Sequence, residues 1–327
     1  MSVFRTAKTI ISEIQEISTK ISRDVKRNKM AISLDMLWCL LKYSASPNNY
    51  DKFEFYNLNA HQRNTYVTYG ISKKMIKKFN DQNDIDFFEN KLKFAQSFND
   101  EFKRGYLNVS DMNFEEFSDF VAGNDKFICK PIGGSQGSNI RVFHIDRDIQ
   151  IIYEEIKKDF GDGYMIEEWI AQHKVLSDVY PNAVNCLRII TVYDGFKVHY
   201  LTGGVTFSLD SEIANGSQPS IVAPVNFETG IIDKPATTFG SELYEKHPKT
   251  NVQILGLQLP YWDEIKAMLE NACRKVATVR YIGWDIAITP DGPVLIEGNT
   301  TPGYKYYQIP KHMENGIGNK EKYVRYL

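Results

Sequence analysis

The stretch that decides how this chain is read is Tyr281-Ile-Gly-Trp-Asp285-Ile-Ala-Ile-Thr-Pro290-Asp-Gly-Pro-Val-Leu-Ile-Glu297-Gly-Asn299. Two apolar runs flank Thr289-Pro-Asp-Gly292, and Pro-Asp-Gly between such runs predicts a hairpin turn. With the turn centred on Asp291, antiparallel pairing sets Asp285 opposite Glu297 and Gly283 opposite Asn299. Side chains alternate between the faces of a strand, so Asn299 shares the face of Glu297. Directly opposed residues hold their Cβ atoms about 5 Å apart, and like charges there repel. A hard cation would offset that repulsion, and Mg²⁺ commonly enters through one or two carboxylates plus substrate phosphates. The alternative is a solvent-facing pair of acids on an edge hairpin.

A Mg²⁺ site of that kind needs phosphates, and a second stretch can bind them. In Phe127-Ile-Cys-Lys130-Pro-Ile-Gly-Gly134-Ser135-Gln136-Gly137-Ser138-Asn139 an apolar strand ends in a lysine and runs into a glycine-rich loop. Glycines let backbone N–H groups approach phosphate oxygens, the two serines add donors, and a strand-borne ammonium supplies charge. The spacing matches neither the P-loop nor the dinucleotide fingerprint, and such a loop can also be a plain flexible turn. A third stretch, Gly163-Tyr-Met-Ile-Glu167-Glu168-Trp169-Ile170, is an apolar strand ending in paired acids. Its backbone and a glutamate could meet an adenine edge; it could equally be an ordinary strand end.

Composition sets the frame. The chain has 327 residues, 43% hydrophobic and 24% charged with a net charge of −2, which is ordinary for a globular protein and gives no sign of a general nucleic-acid binder. Cys39, Cys129, Cys186 and Cys273 are widely spaced without a C-x-x-C pair, as expected of buried thiols in a reducing compartment. The start has no signal-peptide core, and the longest strongly apolar run, Met36-Leu-Trp-Cys-Leu-Leu41, is too short to cross a bilayer. A cytoplasmic protein is predicted.

Residues 2–29 show a helical apolar period at Phe4, Ala7, Ile10, Ile11, Ile14, Ile17, Ile21 and Val25, with seven basic against three acidic residues elsewhere. This helix either packs on its own domain with a solvated basic face, the favoured expectation, or touches an anionic membrane surface. A second helix is predicted over 31–45 and another over 84–103. From residue 126 onward β-rich runs appear at 126–132, 139–145, 164–170, 185–193 and 196–207, with helices near 147–160 and 261–279.

This order of elements resembles the ATP-grasp superfamily of ligases. More narrowly, Asn185-Cys-Leu-Arg188-Ile-Ile-Thr191, Gln258-Leu-Pro-Tyr-Trp-Asp263, Tyr281-Ile-Gly-Trp-Asp285 and Glu297-Gly-Asn-Thr-Thr-Pro-Gly303 resemble the sugar-transfer-associated ATP-grasp family, found among polysaccharide biosynthesis genes. Cys186 stands where Thr is more usual. The resemblance implies an α+β ATP-grasp fold, two α+β lobes clasping ATP after a helical region. That gives a helical N-terminal region at 1–80, an N-terminal lobe with the lid loop at 81–165 and a C-terminal lobe with the metal site at 166–327.

The resemblance also implies roles. Lys130 and the earlier Lys91, with Lys93 close by, would bind phosphate oxygens. Gly134 and the loop Ser135, Gln136, Gly137 and Ser138 would cover the β- and γ-phosphates, and Glu167, Glu168, Trp169 and Ile170 would form the adenine hinge. Asp285, Glu297 and Asn299 would hold Mg²⁺, as two ions, and Arg188 would stabilise the transferred phosphoryl group or anchor a carboxylate, unless it is a structural ion pair. Substrate contacts would fall to Ala214-Asn-Gly-Ser-Gln218, the loop through Ala223 and residues 300–307. The implied activity is an ATP-dependent carboxylate–amine ligase that forms an amide through an acyl phosphate from small sugar- or amino-acid-derived substrates, in capsule or O-antigen assembly. A kinase on the same scaffold and a non-catalytic nucleotide-binding partner of a glycosyltransferase complex are the alternatives.

Overall fold

The computed structural model describes residues 7–134, 139–210, 219–238 and 242–327. They fall into two compact units, a helical one built from 7–79 and 303–327 and a β-rich one built from 80–238 and 242–302.

The helical unit opens with α1 (Ala7–Val25), α2 (Lys29–Tyr43) and, after short turns of helix, α3 (Tyr69–Phe79). Asn28 starts α2 by accepting hydrogen bonds from the N–H groups of Met30 and Ala31, satisfying donors that the first helical turn leaves unpaired. α1 buries Ile14, Ser18 and Ile21, and α2 buries Ile32, Met36 and Cys39. An aromatic cluster completes this core, with Phe53 and Phe55 at 5.1 and 5.5 Å from the ring of Tyr66. Asp35 on α2 holds Arg63 through two 2.7 Å hydrogen bonds and accepts a third from the Tyr50 hydroxyl. The C-terminal segment belongs here: Gln308 spans the backbone N–H and C=O of Val67, and Tyr304 bonds Asn49.

The β-rich unit holds two antiparallel sheets. The first contains β1 (Tyr106–Asn108), β2 (Lys126–Pro131), β3 (Arg141–His144) and β4 (Tyr164–Glu168) in the order β1-β4-β2-β3. Alternation sends Phe127, Cys129, Phe143 and Ile166 to one face, where α4 (Phe114–Val121) and α5 (Ile149–Asp159) cover them with Phe117, Val121, Ile152 and Ile156. Lys130 and Glu167 therefore lie on the other face, as diagonal neighbours on adjacent strands.

The second sheet is formed by β5 (Cys186–Tyr193), β6 (Val198–Ser208), β7 (Ser220–Pro224), β8 (Ala236–Thr237), β9 (Leu243–Tyr244), β10 (Tyr281–Thr289) and β11 (Gly292–Asn299), ordered β11-β10-β5-β6-β7-β8-β9. Its covered face packs on α6 (Trp262–Lys275) and on Phe88, Phe94 and Phe98, with Trp284 5.5 Å from Phe98. The predicted helix over 84–103 is three short helices, Asp86–Glu89, Lys91–Ser97 and Asn99–Phe102. The break at Asn90 has a local cause: its side chain accepts from the N–H groups of Leu92 and Lys93 and restarts the helix.

Candidate active site

The β10–β11 hairpin pairs Asp285 with Glu297 and Gly283 with Asn299. It reaches that register by a route the turn alone does not reveal. The loop is the two-residue Pro290-Asp291, since Thr289 pairs with Gly292, and Gly292 takes φ +119°. A bulge at Ile296 then adds one residue to β11, so the pairing passes from Ile286–Leu295 to Asp285–Glu297. A bulge re-aims the side chains beyond it, so Leu295 enters the core while Glu297 joins Asp285 on the opposite face.

Across β10 the row continues to Arg188, the partner of Asp285 on β5. Its Nε donates to Asp285 Oδ1 at 2.6 Å and its Nη2 donates to Oδ2. Asn299 closes the group, its amide donating to Asp285 Oδ2 and to Glu297 Oε1 at 3.2 Å each. Burial first, then the Asp285 carboxylate, pushes the Glu297 carboxyl above its ordinary value, while Arg188, Lys91 and Lys130 pull it down. Cys186 has its thiol pushed well up by burial and by Asp285, so it stays protonated.

The flanking glycines have spatial causes. A Cβ on Gly283 would stand 3.2 Å from Pro302 Cβ, and one on Gly298 would stand 2.6 Å from Phe88 Cδ1.

The second group sits on the first sheet. Glu167 is fully buried, with Arg104 Nε donating to Oε1 at 2.6 Å and the Lys130 ammonium on Oε2. Burial alone would raise the Glu167 carboxyl; Arg104 and then Lys130 outweigh it and hold it below the usual carboxylate range. Arg104 also donates to the backbone C=O of Leu295 at 2.6 Å and of Phe102 at 3.0 Å, with its guanidinium 3.5 Å from the centre of the Phe102 ring. It thus joins β4 of one sheet to β11 of the other. Its Nη2 is buried and has no hydrogen-bond partner among the described residues. Nothing in Lys103-Arg104-Gly105 signals this from sequence, because the pattern there is that of an exposed basic turn.

Of the two candidate lysines, Lys91 reaches the loop, with Nζ 2.9 Å from the C=O of Gly134, while the exposed Lys93 pairs with Asp86. Burial lowers the Lys91 ammonium below its ordinary value, with Glu297 opposing the shift. Gly134 adopts φ +94°, a conformation that favours glycine. Ser135, Gln136, Gly137 and Ser138 lie outside the described residues, as do 214–218. Glu168 turns to Gly105, accepting its N–H at 2.7 Å, and Trp169 stands under Lys126 at 3.8 Å. Ile170 follows β4, half-buried. Tyr304 and Tyr307 are buried in the helical unit.

Two antiparallel sheets, one bringing a strand-borne lysine beside a glycine loop and the other a carboxylate hairpin, define an ATP-grasp protein of the α+β class. The sequence pattern of the sugar-transfer-associated ATP-grasp family matches residues 71–322, about three quarters of the chain. The chain belongs to that family. No curated protein sequence matches it. Among solved structures it is similar to an N5-carboxyaminoimidazole ribonucleotide synthetase with ADP, at 11% identity and TM-score 0.40 over 68% of this chain and 47% of that one. It is similar to the D-alanine-D-alanine ligase from Aeromonas hydrophila at 15% identity and TM-score 0.43 over 76% and 65%, and to the L-amino acid ligase from Bacillus licheniformis at 11% and 0.40 over 68% and 42%. The chain spans less than half the length of the first and last of these proteins.

Proposed function

We propose that the protein is an ATP-dependent carboxylate–amine ligase. The observation that carries this reading is the row on one face of the second sheet in which Arg188 donates to both Asp285 oxygens and Asn299 bridges Asp285 and Glu297, with Lys91, Lys130 and Arg188, from three distant stretches of sequence, all favouring the charged form of Glu297. Three positive charges around two carboxylates suit a polyphosphate that brings its own divalent ion.

The donor set fits Mg²⁺. Among the described residues no cluster of three or more His, Cys, Asp or Glu is present. Two carboxylates and one amide leave positions for phosphate oxygens and water, as Mg²⁺ prefers, and a cation between Asp285 and Glu297 would relieve their mutual repulsion. Asp285, Glu297 and Asn299 would hold the ion, or the two ions that the family resemblance implies. Bound there, Mg²⁺ would neutralise charge developing on the phosphates.

The rest falls to the chain's own groups. Lys91 and Lys130 would hold phosphate oxygens, and the buried Nη2 of Arg104 offers a donor to a bound nucleotide. Because the Glu167 carboxylate is committed to Lys130 and Arg104, an adenine amino group would meet the backbone of 167–170 instead. A substrate carboxylate oxygen attacks the γ-phosphorus, the bond to the ADP oxygen breaks, and an acyl phosphate forms while Arg188 steadies the phosphoryl charge. An amine then attacks the acyl carbon, phosphate departs and the nitrogen loses a proton, leaving an amide. Membership of a sugar-transfer-associated family supports sugar- or amino-acid-derived substrates in capsule or O-antigen assembly.

The test is ADP release from ATP and Mg²⁺ over a panel of sugar acids and amino acids, with hydroxylamine present. A hydroxamate derived from the carboxylate is expected. ADP release with a phosphorylated hydroxyl and no hydroxamate would replace the ligase reading with a kinase.

A further inference from the structure

α2 is apolar on two sides. One side, Ile32, Met36 and Cys39, is buried in the helical unit. The other carries Met30, Leu34, Leu37, Trp38 and Leu41, which are 70, 61, 41, 55 and 80% exposed. At 100° per residue these five span an arc of about 100°, a continuous stripe roughly 17 Å long. A helix apolar all round is ordinarily buried, and an ordered stripe of this size on a surface marks a contact.

Charge identifies what it contacts. Lys29 and Lys42 border the stripe at its two ends, Lys42 standing 5.3 Å from the centre of the Trp38 ring. The one acid of α2, Asp35, is turned away into its pairing with Arg63 and Tyr50. The asymmetry extends to the whole unit. Residues 1–79, 239–241 and 303–327 contain nineteen Lys and Arg against eight Asp and Glu, a net of +11, whereas the rest of the chain contains twenty against thirty-three, a net of −13. A second copy is a poor occupant, because a two-fold axis crossing the helix sets Lys29 of one copy against Lys42 of the other. A nucleic-acid backbone matches the charge and leaves the stripe unused. An apolar helix face with tryptophan and lysine borders on a strongly basic unit suits the headgroup–acyl boundary of an anionic bilayer.

We propose that the outer face of α2 docks the protein on an anionic lipid surface, with Met30, Leu34, Leu37, Trp38 and Leu41 entering the boundary and Lys29 and Lys42 at headgroup level. This is independent of the ligase reading, and it assigns the contact to α2 rather than to the basic α1.

The experiment is co-sedimentation of the full chain with vesicles of phosphatidylcholine alone and with about one third phosphatidylglycerol. Binding to the anionic vesicles only is expected, weakening as salt rises, and falling about tenfold or more in the double variant Leu34→Gln, Leu41→Gln. Both positions are exposed, so circular dichroism should be unchanged. In the wild-type protein a tryptophan blue shift should accompany binding and vanish in Trp38→Phe, which reports on the site even if the double variant misfolds. Failure to bind anionic vesicles, equal binding to neutral ones, or a solution dimer that the double variant dissociates without any vesicle binding overturns the proposal.

Discussion

Arg188 and Asp285 face each other across β5 and β10, the guanidinium donating to both carboxylate oxygens and so occupying the acid that also faces Glu297. The arginine supplies within the chain part of the positive charge that the acid pair demands. A divalent ion bound to Asp285 would share that task with it. Arg188→Met is therefore expected to lower the melting temperature by several degrees in EDTA, a loss of about 1–3 kcal/mol. Added Mg²⁺ should recover part of the drop. Equal drops with and without Mg²⁺ would show that Arg188 serves only as a structural partner.

Glu297 makes a pH prediction of definite sign. Its carboxyl is raised above the ordinary value of 4.5 by burial and by Asp285. The folded state therefore holds the proton more tightly than the unfolded chain. The stability this contributes is present below pH 4.5 and is lost as pH rises through the folded value. In EDTA the wild type should lose melting temperature over that rise, Glu297→Gln should not, and Mg²⁺ should flatten the wild-type curve. Calorimetric titration should also find Mg²⁺-dependent ATP affinity reduced at least about tenfold in the variant. An affinity unchanged in Mg²⁺ would remove the metal assignment.

The lysines separate cleanly. Lys91 reaches Gly134, Lys93 points to Asp86, and Lys130 is buried against Glu167. Lys91→Ala should weaken ATP binding with little change in stability, and Lys93→Ala should do neither. Lys130→Ala should weaken binding and also lower stability, because Glu167 then keeps Arg104 alone. Calorimetry for affinity and urea unfolding for stability read both quantities. If Lys93→Ala alone weakens binding, the assignment of the earlier lysine is reversed.

The Arg104–Glu167 pair should dominate local stability. Removing one member of a buried ion pair costs about 3–5 kcal/mol, and Arg104→Met and Glu167→Gln should each approach that. Glu167 is held below the ordinary 4.5, so its contribution is present above that pH and lost as pH falls through the folded value. Wild type should thus converge on Glu167→Gln in acid. A pH-independent gap between them would indicate packing rather than charge.

Gly298→Ala tests the covered face of the hairpin. The added methyl would meet Phe88 at 2.6 Å, so about 1–3 kcal/mol should be lost in chemical denaturation. A neutral result would show that the Phe88 ring yields freely.

Much of the site was legible because it rests on local rules. Pro-Asp-Gly marks the hairpin, but the expected turn centred on Asp291 reaches the Asp285–Glu297 pair only because the bulge at Ile296, which no sequence signal announced, makes up for a loop one residue shorter. An apolar run ending in Lys130 is a strand end wherever it is met. Arg104 was not legible: its burial depends on Glu167, sixty-three positions away, and on the Leu295 carbonyl. β7, β8 and β9 are short strands whose pairing comes from neighbours rather than from their own pattern. The outward stripe of α2 was hidden for the opposite reason, since a run apolar on both sides reads as a helix wholly inside.

The spare residue at Ile296 gives the hairpin two frames of equal consequence for the acids. A two-residue loop with the bulge and a three-residue loop without it both set Asp285 across from Glu297; they differ in whether Leu295 or Ile296 backs Ile286. Variation in the loop can therefore be absorbed as a slip of one position in the apolar ladder. Sequence drift at the hairpin tip would register in stability and leave the carboxylate pair in place.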